Sequence, residues 1–354
     1  MNLLERYIGR AVAGGVLSVI GVLVILFTVI DFIDEFDQIG KHQYTLWHAF
    51  IYSLLKIPER IYQIFPLATL LGSMIGLGVL SRNSELIVIR SSGVSLLRLV
   101  MAIMKTALVL VVAAILIGEV VAPPVQQYAN LKRVQALSKE ISLNTEYGLW
   151  ARDSETFIHV RRVTSSGQLQ GITLYQFDKE QQLKKVIGAK DADYVDKHWL
   201  LKKVTITQIE KNRITKKHAK QMPWGSLLDP QLVNVVTVKP EMLPIWKLGS
   251  YIDYLRVNGL DAAQYQLAFW GKLVMPLTIL AMVLIAIPFV FVSQRQTPIG
   301  KQILIGFLVG ISFFILNKLS GQMGIVYQLH PLLVVILPTL TVMFIGVMML
   351  RRVR

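Results

Sequence analysis

"LSRNSELIVIRSSGVSLLRL", Leu80–Leu99, decides the fold, because it lies between two runs too apolar to rest in water. It opens with Arg82 and Glu85, carries four aliphatics from Leu86 to Ile89, and reaches Gly93 soon after Arg90. The flanking runs, 61–80 and 99–122, each supply the 20 or so apolar residues that a helix needs to cross a hydrocarbon core roughly 30 Å thick. Four more stretches qualify on the same grounds: 12–33, 268–292, 302–322 and 331–350. The quoted segment is therefore a turn between the second and third of six spans. If the spans alternate, Arg6, Arg10, Arg82, Arg90, Arg98, Lys105, Arg295, Lys301, Arg351, Arg352 and Arg354 all fall on one side. The opposite short loops hold only Lys41, Lys56 and Arg60, with Lys318 near the other. Excess Lys and Arg mark the cytoplasmic side, which places both termini in the cytoplasm.

Composition agrees with that reading. The 354 residues are 53% hydrophobic and 17% charged, against about 25% charged in soluble domains. The net charge of +15 suits cytoplasmic loops facing anionic lipid. It does not come as a basic module interleaved with aromatics, so nucleic acid is not an expected partner. There is no cysteine, which excludes disulfides, thiolate zinc sites and a cysteine nucleophile. The start, "MNLLERYIGRAV", leads into a run long enough to span with no A-x-A-like site after it, so an uncleaved first helix is expected.

Between the third and fourth spans the texture changes. "GLWARDSETFIHVRRV", "GITLYQFD", "HWLLKKVTITQIE" and "LVNVVTVKP" are short β-branched and aromatic runs. Turn material such as "SSGQ", "DKEQQ" and "EKNR" separates them. The expectation is an all-β sandwich or jelly roll on the non-cytoplasmic side. The layout is then helices 1–3 over residues 1–124, the β domain over 125–262, and helices 4–6 over 263–354. "GSMIG" and "GFLVG" carry the small-xxx-small spacing that lets helix backbones approach, either within this chain or toward a partner. Pro58, Pro66, Pro276, Pro288 and Pro338 would bend or end helices.

No engine is visible. Gly-Lys occurs at 40, 271 and 300, never followed by Ser or Thr, so no phosphate-binding loop of the G-x-x-x-x-G-K-[ST] kind is present. Neither H-E-x-x-H nor G-x-S-x-G occurs, and no metal or catalytic residue is assigned. The spans also lack the carboxylate–histidine chain of a proton-driven carrier; Glu119 stands alone before Pro123 and Pro124 and reads as interfacial. In the quoted segment, Ser84 can cap a short helix over about 84–92, Glu85 favours its first turn, and Gly93 can end it. That helix is either a solvated loop element at the headgroups or a knob through which a cytoplasmic motor moves the flanking spans.

At these residues the chain resembles the LptF/LptG permeases, the membrane subunits of the lipopolysaccharide export ATP-binding-cassette transporter. "RNSELIVIRSSG" after "PLATLLGSMIGLG" carries the likeness. "ERYIGR", "VMAIMKTALVL", "IGEVVAPP", "GLWARD" and "YQLAFWGKLVMPL" extend it, and the first, fourth and fifth of these favour the LptG branch. The resemblance implies an inner-membrane chain with an LptF-like permease paralogue, an LptB-like ATPase dimer and an LptC-like single-span protein as partners. Lipopolysaccharide would be the cargo, squeezed from a cavity into periplasmic jelly rolls and onward along a bridge. This chain would bind no cofactor, with ATP and Mg used by the partner ATPase. Glu85 matches the acidic coupling residue, expected to meet a base on the ATPase; Leu86 and Ile89 would fill its groove, with Arg90 and Gly93 completing the segment. Helices 1 and 5 would form lateral gates. Phe27, Ile30, Phe65, Phe307 and Phe314 are candidates for the greasy wall, and Lys318 for a lipid phosphate.

One stretch departs from the family. Its relatives commonly place bases at the outer end of helix 1, whereas "DFIDEFDQIGKH" supplies Asp31, Asp34, Glu35 and Asp37 with only Lys41 as a base. A divalent cation, Lys41 with a partner's charge, or plain solvent exposure would each reconcile this; solvent is favoured for Glu35 and Asp37. In the β domain, Phe157, Val160 and Leu174 read as ordinary core. Two other functions stay open: a non-transporting scaffold or receptor presenting its β domain, and an ion-coupled carrier.

Overall fold

A computed structural model describes residues 3–137, 142–143, 149–153, 155–164, 168–178, 180, 182–195, 198–210, 213–224, 240–292 and 299–352. The expected strand "LVNVVTVKP" (apart from Pro240), the turn residues 165–167, and Arg295 and Arg354 lie outside the described residues.

The apolar runs form helices that extend past them, by a turn or more in every case but the last, which gains two residues. α1 covers Leu3–Asp34, α3 Ile57–Arg82, α8 Ala263–Val292, α9 Ile299–Val326 and α10 Pro331–Arg352. With the helix that begins at Leu96 they make six long enough and apolar enough to cross a membrane. Between them are α2 (Leu46–Leu55), α4 (Glu85–Ser91) and α5 (Leu96–Ile115), the last capped by the Ser95 hydroxyl accepting from the Arg98 amide.

The third span does not stop before Pro123 and Pro124 as its sequence suggests. α5 runs into a π turn at Leu116–Val121 and then into α6 (Ala122–Leu137). Proline breaks a regular helix interior by lacking an N–H and clashing one turn back. Here the wider π turn lies directly before Pro123 and Pro124, with the Ala122 amide reaching back five residues to the Ile117 carbonyl, and helix bends of this kind accommodate proline.

Chain folding gives two compact units: residues 1–37, 49–129 and 263–354, and residues 38–48 with 130–262. The helical unit is built on the pairing of α1 with α3. A methyl on Gly15 would sit 2.2 Å from the Gly72 carbonyl oxygen, and one on Gly76 would sit 2.3 Å from that of Ala11. Gly72 and Gly76 thus serve packing within this chain. Gly306 and Gly310 do too, lying against Met74 and Leu67 of α3. The core joins Ile8, Val12 and Val16 of α1, Leu77 and Leu80 of α3, Leu86 of α4, Ile103 of α5 and Val283 of α8. Thr278 and Thr339 bond α8 to α10 at 3.0 Å inside the bundle.

The second unit holds an antiparallel meander of seven described strands: β1 (Ser142–Leu143), β2 (Leu149–Asp153), β3 (Thr156–Thr164), β4 (Leu169–Phe177), β5 (Leu183–Val195), β6 (His198–Glu210) and β7 (Arg213–Trp224). β1 and β2 both pair with β3, and the rest follow in chain order. One face is the core, with Ile158, Val160, Ile172, Leu174, Ile187, Trp199, Leu201 and Val204 buried. Phe157 is not among them: it lies one residue out of phase, on the opposite face, edge-on to Phe177. Pairing skips the row Arg161–Gly171–Lys190–Lys203–Lys220 across five strands. Gly171 and Lys203 adopt left-handed backbone there, so the next buried residue comes after three positions rather than two, at Leu169/Ile172 and Leu201/Val204. The strand pattern missed one helix in this unit, α7 (Ile245–Val257), whose Leu248, Tyr251, Ile252 and Leu255 are buried at helical spacing.

Candidate functional site

The segment Leu80–Leu99 folds into a knob at one end of the helical unit. α3 ends at Arg82 and α4 starts at Glu85, so the chain turns within two residues. Ser84 makes the turn in the left-handed region, at φ 60°, and its hydroxyl does not cap α4 as expected. That conformation costs a non-glycine residue about 1–2 kcal/mol, and the packing of α4 holds it. Gly93, at φ +88°, ends the segment in the conformation glycine adopts without strain.

Leu86 corrects the sequence reading. It is fully buried in the core of this chain's own bundle, so it anchors α4 and offers nothing to a partner. Ile87 and Val88 point outward instead, and Ile89 packs against the core while lining a groove beside α1. That groove, of about 830 Å³, is bordered by Leu3, Tyr7 and Arg10 of α1 and by Asn83, Glu85 and Val88. Across it the Tyr7 hydroxyl donates to Glu85 Oε2 at 2.6 Å, while Asn83 Nδ2 donates to Oε1 at 3.1 Å. The Tyr7 bond first, and the Asn83 bond second, hold the Glu85 carboxyl below the usual carboxylate range, so it is ionised at neutral pH. The Arg90 guanidinium lies 6.0 Å from the Phe291 ring of α8, and Lys105 of α5 pairs with Glu5 of α1 at 2.6 Å. α4 is thus fixed to α1, α8 and the core at once.

At the other end of α1, Asp31 is 2% exposed and receives Lys56 at 2.8 Å and Arg60 at 2.5 and 2.7 Å. This carboxylate is occupied by two cations of its own chain, which rules it out as a bare charge facing a ligand phosphate. Glu35 is buried, contrary to its expected place in solvent, whereas Asp34 and Asp37 are exposed. Lys41 bonds the Gln38 side chain. Glu119 is not a lone interfacial acid: Lys272 of α8 meets it at 2.6 Å in a partly buried pair beside the Tyr62 ring.

The comparisons with known proteins bear on this arrangement as a whole. The family described as lipopolysaccharide export system permease LptF/LptG matches residues 6–352. The chain belongs to the LptF/LptG family. It is 36% identical over 342 residues to the lipopolysaccharide export system permease protein LptG of Haemophilus influenzae, covering 96% of each chain. It is 34% identical over 354 residues to the LptG of Escherichia coli K12, covering 99% of this chain and 98% of the relative.

Set on this LptF/LptG chain, the expected wall residues divide. Ile30, Phe307 and Phe314 are exposed apolar side chains, and Lys318 is exposed one turn beyond Phe314. Phe27 is half-buried with Arg60 near its ring. Phe65 is 2% exposed within the core and leaves the set, because it faces the bundle and not its outside. Sequence reasoning missed Tyr7, Lys56, Arg60 and Lys272. "ERYIGR" contained Tyr7, but only the fold brings it to Glu85, 78 residues away.

Proposed function

We propose that this chain is the permease subunit through which a partner's ATP hydrolysis drives lipopolysaccharide out of the bacterial inner membrane and onto a periplasmic bridge. Its partners are an LptF-like paralogue, an LptB-like ATPase dimer and an LptC-like single-span protein. Both termini and α4 are cytoplasmic, and the β unit is periplasmic. The chain binds no cofactor; ATP and Mg act at the ATPase.

The observation that carries this reading is the shape of the α4 knob. It buries Leu86, presents Ile87 and Val88, and holds an ionised Glu85 beside a groove with Arg6 and Arg10. A cationic side chain of the ATPase fits Glu85, and its apolar cleft fits the two exposed aliphatics. A headgroup-resting loop helix would have no need of three separate ties to the bundle.

The cargo side is supported by which helices lie uncovered. The most apolar windows of α1 and α9 are each only 17% buried, against 72% for α3. Two such faces suit gates opening to an acyl-chain body and to the paralogue. Lys318 is the base this chain offers to a lipid phosphate from α9, since Asp31 absorbs Lys56 and Arg60.

A photoreactive residue at position 314 tests the reading in the assembled exporter. Crosslinking to lipopolysaccharide that changes on ATP addition is expected. Absence of any lipid crosslink, with crosslinks at position 30 also missing, would overturn the gate assignment.

A further inference from the structure

We infer that Tyr7 is a positioning residue of the coupling site, bracing α4 against α1 through the Glu85 carboxylate; this rests on the reading of α4 as the docking knob.

The linker between α3 and α4 is two residues long and turns at a left-handed, uncapped Ser84. Left to itself, that turn is a hinge. Leu86, with Ile89 packed against the core one turn on, stops α4 from lifting off the bundle and forms its one apolar anchor, which leaves the Glu85 side of the helix unheld. The bond from Tyr7 to Glu85 Oε2 supplies a second point, and Arg90 over Phe291 a third. A carboxylate accepts several bonds at once. With Tyr7 on one oxygen and Asn83 on the other, Glu85 retains lone pairs for an incoming cation. Docking therefore need not break the brace, and a force applied to Glu85 passes to the first turns of α1. α1 is an unbroken helix, and from Tyr7 to Asp31 it spans 24 residues, or about 36 Å. Its clasp on α3 at Gly15, Gly72 and Gly76 makes the two helices move together. Displacement at the knob is thus delivered to the far end of α1, where Asp31 meets Lys56 and Arg60.

The test uses the complete exporter in proteoliposomes with Tyr7→Phe, which removes one oxygen and leaves the ring packing. The ATPase is expected to bind Y7F complexes within twofold of wild type, while lipopolysaccharide released per ATP falls at least threefold. Y7F/E85A is expected to be no worse than E85A, because each change removes the same bond: Phe lacks the donor hydroxyl and Ala lacks the acceptor oxygen. A 3-fluorotyrosine at position 7 should change its fluorine resonance in E85A, a readout that mere packing would not move. An unchanged release ratio in Y7F, or losses in Y7F and E85A that simply multiply, would overturn the brace. If Glu85→Arg also leaves release intact, the docking reading fails with it; if Glu85→Arg abolishes release and Y7F does not, only the brace fails.

Discussion

Asp31 shows how a single side chain changes meaning once its neighbours are known. In the sequence it is one of four acids at the end of a span; in the fold it is the buried acceptor for Lys56 and Arg60. Removing one member of such a cluster leaves charge buried without a counter-charge, which costs far more than the intact pair contributes. Asp31→Ala is expected to lower stability by about 2–4 kcal/mol, whereas Asp34→Ala, at an exposed position, should change it by less than about 0.5 kcal/mol. Thermal denaturation of the detergent-solubilised protein measures both; equal effects would contradict the assignment. In the sheet, Lys202 bonded to Asp193 holds that carboxyl below its ordinary range, and amides of Gln182 and Glu180 with Lys184 do the same for Asp178. A depressed pKa contributes stability above the unfolded value near 4, and that contribution is lost as pH falls through the folded value. Amide protection in β5 and β6, taken relative to the intrinsic exchange rate at each pH, is therefore expected to fall below about pH 4, and Asp193→Asn to blunt the change.

At the scale of elements, the helices were legible because a membrane demands some 20 apolar residues in one run, and that constraint overrides everything local. The small-xxx-small spacing named Gly72 and Gly76 correctly, and their partner is α1. Gly76→Ala would drive a methyl into the Ala11 carbonyl backbone, which cannot move aside like a side chain; a loss of at least about 2 kcal/mol is expected. Gly21→Ala, with nothing within 4 Å, should instead be neutral or stabilising by about 0.5–1 kcal/mol. Comparing the melting temperatures of the two variants checks the clasp. What could not be read was phase. Which of Leu86, Ile87 and Val88 faces the bundle depends on one left-handed residue, Ser84, with no glycine to announce it. The same holds for Lys203 in β6, which turns the alternation of the sheet without a sequence mark. α6 escaped because two prolines, ordinarily a stop, fall in the first turn after a π segment. α7 escaped because strand-like runs surrounded it.

For the whole molecule, long-range polar partners were invisible for a plain reason: nothing local links Tyr7 to Glu85, or Glu119 to Lys272 across 153 residues. The position of Glu85 was legible, since a short charged segment between two spans marks a turn element, and Glu85 does begin α4; its coupling role stays a proposal. These contacts join α1, α3 and α4, and the proposed coupling role makes them one lever with its input at the knob and its output at the opposite end of α1. The most direct test of that claim is ATP-dependent release of lipopolysaccharide from proteoliposomes holding the assembled exporter with Glu85→Arg. Release should be lost while the complex stays assembled, and should return when the facing base on the ATPase is replaced by an acid. Undiminished release by the Glu85→Arg complex would contradict it.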